Sequence, residues 1–226
     1  MSWFTETFTS SIGRKLLMSL TGIFLIMFLV IHLLGNLAVF KEDGGEAFNA
    51  YSAFMSTNVL IKSVSYVLYL SILAHSVIAA WLWISNKKAR PAGYAVSNAN
   101  ENSTWASRSM MLLGSLVLIF IVIHLKDFWW QFKMGGTTDF EIDTLGNKNL
   151  YALVAAQFKS SATLVIYLIG LIALAIHLWH GFQSAFQTLG IEHERYTPAI
   201  RFLGKLYAVF IPAGFAAMPV YIFFFK

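Results

Sequence analysis

Residues 16–40 read LLMSLTGIFLIMFLVIHLLGNLAVF, a run with no acid, no lysine and no arginine, and with one histidine near its end. A helix of that length rises about 37 Å, enough to cross a hydrocarbon core of about 30 Å. The run follows Arg14-Lys15. It is too long for the apolar core of a signal peptide and lacks a small-residue cleavage site, so it is read as a retained span. Outward from it, the same pattern returns at about 61–85, 107–130, 162–189 and 202–225. The expectation is an all-α fold: a bundle of five transmembrane helices forming one domain over residues 1–226. Gly190 suits a C-terminal cap for the fourth helix. Pro212 and Pro219 fall inside the fifth, where neighbouring helices can absorb a kink.

Composition agrees. The chain is 58% hydrophobic and 12% charged, with a mean hydropathy of +0.65, against about 25% charged for a soluble domain. There is no cysteine, which excludes disulfides, iron–sulfur clusters, thiolate zinc sites and covalent haem attachment. No phosphate-binding loop, dinucleotide fingerprint or nucleophile elbow is present, and Gly135-Gly136 reads only as a loop. The basic pI implies no nucleic-acid partner; in a membrane chain, excess Lys and Arg marks the cytoplasmic side. Arg14, Lys15, Lys87, Lys88, Arg90, Arg108, Arg195, Arg201 and Lys205 fall on one side. Most acids, including Glu42, Asp43, Glu46, Asp127, Asp139, Glu141 and Asp143, fall on the other. This places the N-terminus in the cytoplasm and the C-terminus outside. The partly apolar stretches 47–61 and 151–159 suit segments lying on the outer interface.

Five of the six histidines fall inside the spans: His32, His75, His124, and the neighbours His177 and His180. Each of the first four spans has at least one, and the fifth has none. Ionisable groups inside a bilayer are costly and mark function by default; the competing reading is hydrogen-bonded helix packing. Depth sharpens the pattern. His32 lies about 24 Å and His124 about 26 Å from the inner ends of their spans; His75 lies about 21 Å and His177 about 22 Å from the outer ends of theirs. Helices one and three run outward while two and four run inward. The histidines therefore form two pairs, separated along the membrane normal by very roughly 15 Å. Two imidazoles at each level suit bis-histidine haem better than zinc, which wants four ligands at one point. His180 sits three residues from His177 on adjoining parts of one face and competes with it.

Two further spacings support the pairing. TGIFLIMFLVIHL (21–33) and LGSLVLIFIVIHL (113–125) both place a glycine ten residues before a histidine and end Val-Ile-His-Leu. Gly22 and Gly114 then fall near the inner level and Gly170 towards the outer one, where they could make room for porphyrins or simply pack helices. Arg108 suits propionates of the inner haem or a positive-inside anchor. Ser19 and Thr21 lie at a similar depth.

The run SSIGRKLLMSLTG with HLLGN after it, and His177-x-x-x-Gly181 followed by SAFQTLG, resemble the cytochrome b membrane anchor of succinate dehydrogenases and fumarate reductases, in its single-chain, five-helix, di-haem form. The similarity runs along essentially the whole chain. It implies two haem b groups, an outer one on His32 and His124 and an inner one on His75 and His177. It favours His177 because the family's fourth-helix ligand precedes a glycine by four residues; His180 then becomes a neighbour or propionate partner. From their depth alone, Ser19 and Arg108 stand as further candidate cofactor contacts, Ser19 with bonding back to its own helix carbonyls as the alternative. The resemblance also implies a flavoprotein subunit and an iron–sulfur subunit on the cytoplasmic face of a bacterial inner membrane, and electron exchange with menaquinone. Glu46 is the nearest acid to the family's proton-transfer glutamate, though its spacing to His32 departs from the pattern. Ala175 stands where some members carry a second glutamate. The alternatives are the cytochrome b subunit of a hydrogenase or formate dehydrogenase, and a haem-free scaffold or transporter.

Overall fold

The computed structural model describes residues 10–89, 101, 104–135 and 141–226; Arg90, Gly136 and Asp139 lie outside them. Among the described residues five helices are long and apolar enough to cross a membrane, and the chain is a multi-pass membrane protein. Helix α1 (Ser11–Asn36) is prolonged by a 3-10 turn, Leu37–Phe40. Helix α2 (Glu46–Thr57) is short, α3 (Val59–Ala89) is a span, and α4 (Met110–Met134) follows a single helical turn at Trp105–Arg108. Helix α5 (Leu150–Phe158) is short, and α6 (Ser161–Thr188) and α7 (Thr197–Phe225) complete the bundle. No strand occurs among the described residues, apart from a single bridge between Ile142 and Lys148. Every polar backbone group in hydrocarbon must be satisfied within its own segment, which is why long apolar runs become helices.

The helix ends follow local chemistry. Ser10, Asn149 and Ser160 accept the amides of Gly13 (3.0 Å), Ala152 (3.0 Å) and Thr163 (3.3 Å), capping α1, α5 and α6. Gly190 closes α6 in the left-handed region at φ +75°, as its position in the sequence suggests. Pro212 and Pro219 both stay inside α7 and are buried.

Helix α6 is the hub, packing against α1, α4, α5 and α7. Its buried stripe runs Leu164, Tyr167, Gly170, Leu171, Leu174 and Leu178, near the three-to-four-residue period of a helix face. The opposite faces of the spans stay exposed and apolar, with Leu70 at 66% and Phe210 at 66%, as a lipid-facing surface requires. One end of the bundle is basic: Lys15, Lys87, Lys88, Arg108, Arg195, Arg201 and Lys205 are exposed there. Arg14 instead lies over the Trp81 ring at 3.7 Å, tying the start of α1 to the end of α3.

The other end carries a cap. The partly apolar loop stretches form α2 and α5, which pack on each other. Phe48, Val39 and Phe158 join Tyr167, Met218 and Ile222 in one apolar cluster beneath them. Asn49, only 1% exposed, holds the cap: its Nδ2 donates to Asn149 Oδ1 at 3.1 Å and its Oδ1 accepts from the Tyr151 amide at 2.9 Å. Asn49→Ala would strand a buried amide, at a cost of about 1–3 kcal/mol. The midpoint of thermal unfolding in detergent is expected to fall by roughly 5 °C. An unchanged midpoint would show that the cap contributes nothing to stability.

Candidate functional site

Four helices deliver four histidines in two facing pairs. His32 of α1 and His124 of α4 have ring centroids 5.8 Å apart with planes 84° apart. His75 of α3 and His177 of α6 have centroids 6.4 Å apart with planes 69° apart. Of the two histidines on one face of α6, His177 is the one whose ring meets His75. His180 meets Ser184 on its own helix, Nε2 to Oγ 3.0 Å.

The vertical offset between the pairs follows from contacts. Thr21 lies 3.1 Å from His75 Nδ1, and His32 comes eleven residues later on the same helix. At 1.5 Å per residue the pairs are therefore about 16 Å apart along α1. Along α4, Gly114 lies against His177, ten residues before His124, giving about 15 Å.

The surroundings of the two pairs differ. The pair nearer the basic end is backed by small groups. A Cβ on Gly22 would sit 3.5 Å from His75 Cε1, and one on Gly114 would sit 3.7 Å from His177 Cε1. The Thr21 hydroxyl has one hydrogen and lies 2.8 Å from the Leu17 carbonyl and 3.0 Å from that of Met18. With that hydrogen on either carbonyl, its oxygen can accept from Nδ1–H of His75, the tautomer that leaves the Nε2 lone pair for another partner. Ser19, also at this depth, is buried. The pair nearer the cap is walled by aromatic rings. Phe28 stacks on His32 at 5.1 Å, and Phe215 of α7 packs against it at 5.4 Å. Phe120, Phe128 and Tyr167 surround His124. The fifth span has no histidine, yet through Phe215 it forms part of the site. Gly170 lies at this level as expected, but its space is filled by the Phe120 ring.

Centroid separations of 5.8 and 6.4 Å leave space between the facing imidazoles of each pair, so His32 with His124, and His75 with His177, could each hold a metal between them. Nδ1 of His124 and Nδ1 of His177, one in each pair, are buried without a hydrogen-bond partner, which is uncommon for buried polar atoms. Among the described residues no group of three or more His, Cys, Asp or Glu converges, so each level offers two ligands.

The remaining candidates are placed elsewhere. Glu46 is exposed in the first turn of α2, where its Oε1 accepts from Thr144 Oγ1 at 2.7 Å. Arg108 is exposed at the basic end. His193 caps the loop before α7, accepting the Arg195 amide at 3.2 Å. Two features were missed by sequence reasoning. Asp127 is buried at 8% exposure in a π-helical stretch, Leu125–Trp130, and accepts from Tyr167 Oη at 3.2 Å. Two clefts open near the capped end, about 330 Å³ beside Lys126 and Trp129 and about 500 Å³ beside Gly35 and Tyr51. An acid inside an apolar span was the available signal for the first.

Comparison with protein-family models, with curated proteins and with solved structures finds no match to this chain.

Proposed function

We propose that this chain is the di-haem cytochrome b anchor of a succinate:quinone oxidoreductase or quinol:fumarate reductase in a bacterial inner membrane. The observation that carries the reading is the pair of histidine pairs: four helices, two levels, and centroid separations of 5.8 and 6.4 Å. His75 and His177 would hold one haem b and His32 and His124 the other. Haem iron, when bound, supplies one-electron transfer across the thickness of the bundle. The chain's own contribution is positional. Thr21 fixes the His75 tautomer, Gly22 and Gly114 leave room beside their imidazoles, and the aromatic wall around His32 and His124 excludes water. Arg14 and Arg108, at the basic end, carry guanidinium groups that suit propionate carboxylates.

The exposed basic residues support a cytoplasmic position for that end, where the flavoprotein and iron–sulfur subunits would dock. Electrons would then run between those subunits and menaquinone in the bilayer. The chain itself would be a redox and anchoring subunit, with succinate chemistry in the flavoprotein.

A dithionite-reduced-minus-oxidised spectrum of the purified chain tests the reading. Cytochrome b bands with two haems per chain are expected, and a flavin-bearing partner with succinate activity should co-purify. A spectrum without those bands would end it. Bands accompanied by a hydrogenase or formate dehydrogenase partner would keep the haems and change the complex.

A further inference from the structure

The corner between α1 and the cap helix α2 holds two hydrogen-bond donors that the histidine pairs do not use. Lys41 and Tyr51 both line the cleft of about 500 Å³ there, over an apolar floor that includes Ile31, Leu34, Ala38 and Ala47. Tyr51 reaches α1 because of Gly35: a Cβ at that position would overlap the Tyr51 ring and its hydroxyl. Among the described residues the Tyr51 hydroxyl makes no hydrogen bond and Lys41 makes no ion pair. A lone lysine at a membrane boundary commonly just extends its ammonium group to water. Here an ammonium group and a phenol line one concave space, and neither has a protein acceptor.

The floor opens onto the lipid-facing surface, with Ile31 56% and Leu34 62% exposed. The exposed line continues down α1 through Met27 to Leu20. At about 100° per residue these four side chains fall within about 60° of one another, so they form one stripe. From Leu34 to Leu20 the stripe runs about 21 Å, against about 15 Å for half of a hydrocarbon core. It can therefore carry an acyl chain through the whole of its leaflet. At the polar end, two donors and a positive charge call for an anionic oxygen. A phosphodiester supplies one, and its single charge balances the single ammonium group. Past Lys41 the chain turns acidic, with Glu42, Asp43 and Glu46. Glu42 and Glu46 are exposed, while the Asp43 carboxylate accepts the amides of Gly45 (2.9 Å) and Ala47 (3.1 Å) at the start of α2. A headgroup that extends beyond the phosphate meets this negative charge, which favours a terminal ammonium group.

We infer that this cleft holds one phosphatidylethanolamine molecule of the leaflet on the capped side. Its phosphate accepts from Lys41 Nζ and Tyr51 Oη, its amine faces the acids of residues 42–46, and one acyl chain follows the stripe from Leu34 to Leu20. The lipid then bridges α1 and α2 and ties the cap to the first span. No residue of this site belongs to either histidine pair, so it stands apart from the function proposed above.

The test titrates the purified, delipidated protein in detergent, with whatever subunits accompany it, with dioleoylphosphatidylethanolamine and counts bound lipid by native mass spectrometry. Wild type is expected to keep one molecule at concentrations where all other lipid is lost. Lys41→Gln is expected to weaken that binding about tenfold and Tyr51→Phe about threefold, as a charge-assisted and a neutral hydrogen bond differ. Gly35→Ala, which forces the Tyr51 ring aside, should weaken it at least as much as Tyr51→Phe. Dioleoylphosphatidylglycerol, which lacks the amine, should bind wild type about tenfold more weakly. Binding by Lys41→Gln within about twofold of wild type, or equal binding of the two lipids, overturns the assignment. So does displacement of the lipid by a short-tailed menaquinone analogue, or a dimer of the chain that excludes it. Should Tyr51→Phe or Gly35→Ala fail to assemble, Lys41→Gln at its exposed position still decides. The lipid count is read without the haem bands, so a protein that binds the lipid yet lacks those bands overturns the haem reading alone.

Discussion

Replacing His32 and His124 together with alanine is expected to remove one haem, whereas replacing His32 and His75 together removes both. Under the proposed function each haem would depend on two ligands from different helices, so losing the second ligand of an already broken pair would cost nothing further. Effects within a pair are then non-additive and effects across pairs are additive. Single His32→Ala and His124→Ala proteins should each retain about half the haem and lack the same component of a redox titration. His75→Ala and His177→Ala should lack the other component, and His180→Ala should keep both. Pyridine haemochrome content of the purified variants reads this directly. A His32→Ala/His124→Ala protein without any haem, or a His180→Ala protein lacking one, contradicts the pairing.

The second large effect concerns space. A methyl group at Gly22 would stand at ordinary contact distance from His75, 3.5 Å, and one at Gly114 similarly from His177, 3.7 Å. Gly22→Ala is therefore expected to fold with both imidazoles in place. Gly22→Leu and Gly114→Leu extend the side chain beyond that contact into the space beside the ring, and overpacked interiors push neighbours off their rotamers. Each should lose the haem of the His75–His177 pair and keep that of His32–His124, again about half the total. The retained component should match the one left in His75→Ala. Full haem content in both leucine variants would show that the glycines serve helix packing alone.

The spans were legible because the bilayer imposes a length that few soluble segments reach, and residues 16–40 meet it without a charge. The pairing was legible for a related reason. Alternating helix direction and a fixed rise turn sequence position into depth, so His32 and His124 land together with no knowledge of packing. What escaped was tertiary. Two residues of one face, His177 and His180, have nearly the same depth, and only the facing helix decides between them. The cap depends on Asn49 meeting Asn149 and Tyr151 across a hundred residues. Phe215 reaches His32 from a helix that carries no histidine. The π-helical stretch at Leu125–Trp130 has no marker in composition, and Asp127 looked like one more acid of the outer side until its burial against Tyr167 was seen.

The hub position of α6 also sets an order of assembly. Chains emerge from the ribosome N-terminal end first. Helices α1 and α4 are made before α6, so His32 and His124 can meet while the fourth span is still unmade. His75 must wait for α6 to bring His177. A nascent chain therefore completes its cap-side histidine pair first and its basic-side pair second. The later pair is also the one backed by Gly22, Gly114 and Thr21 rather than by aromatic rings, so the space left open longest is the one with least side-chain bulk beside it.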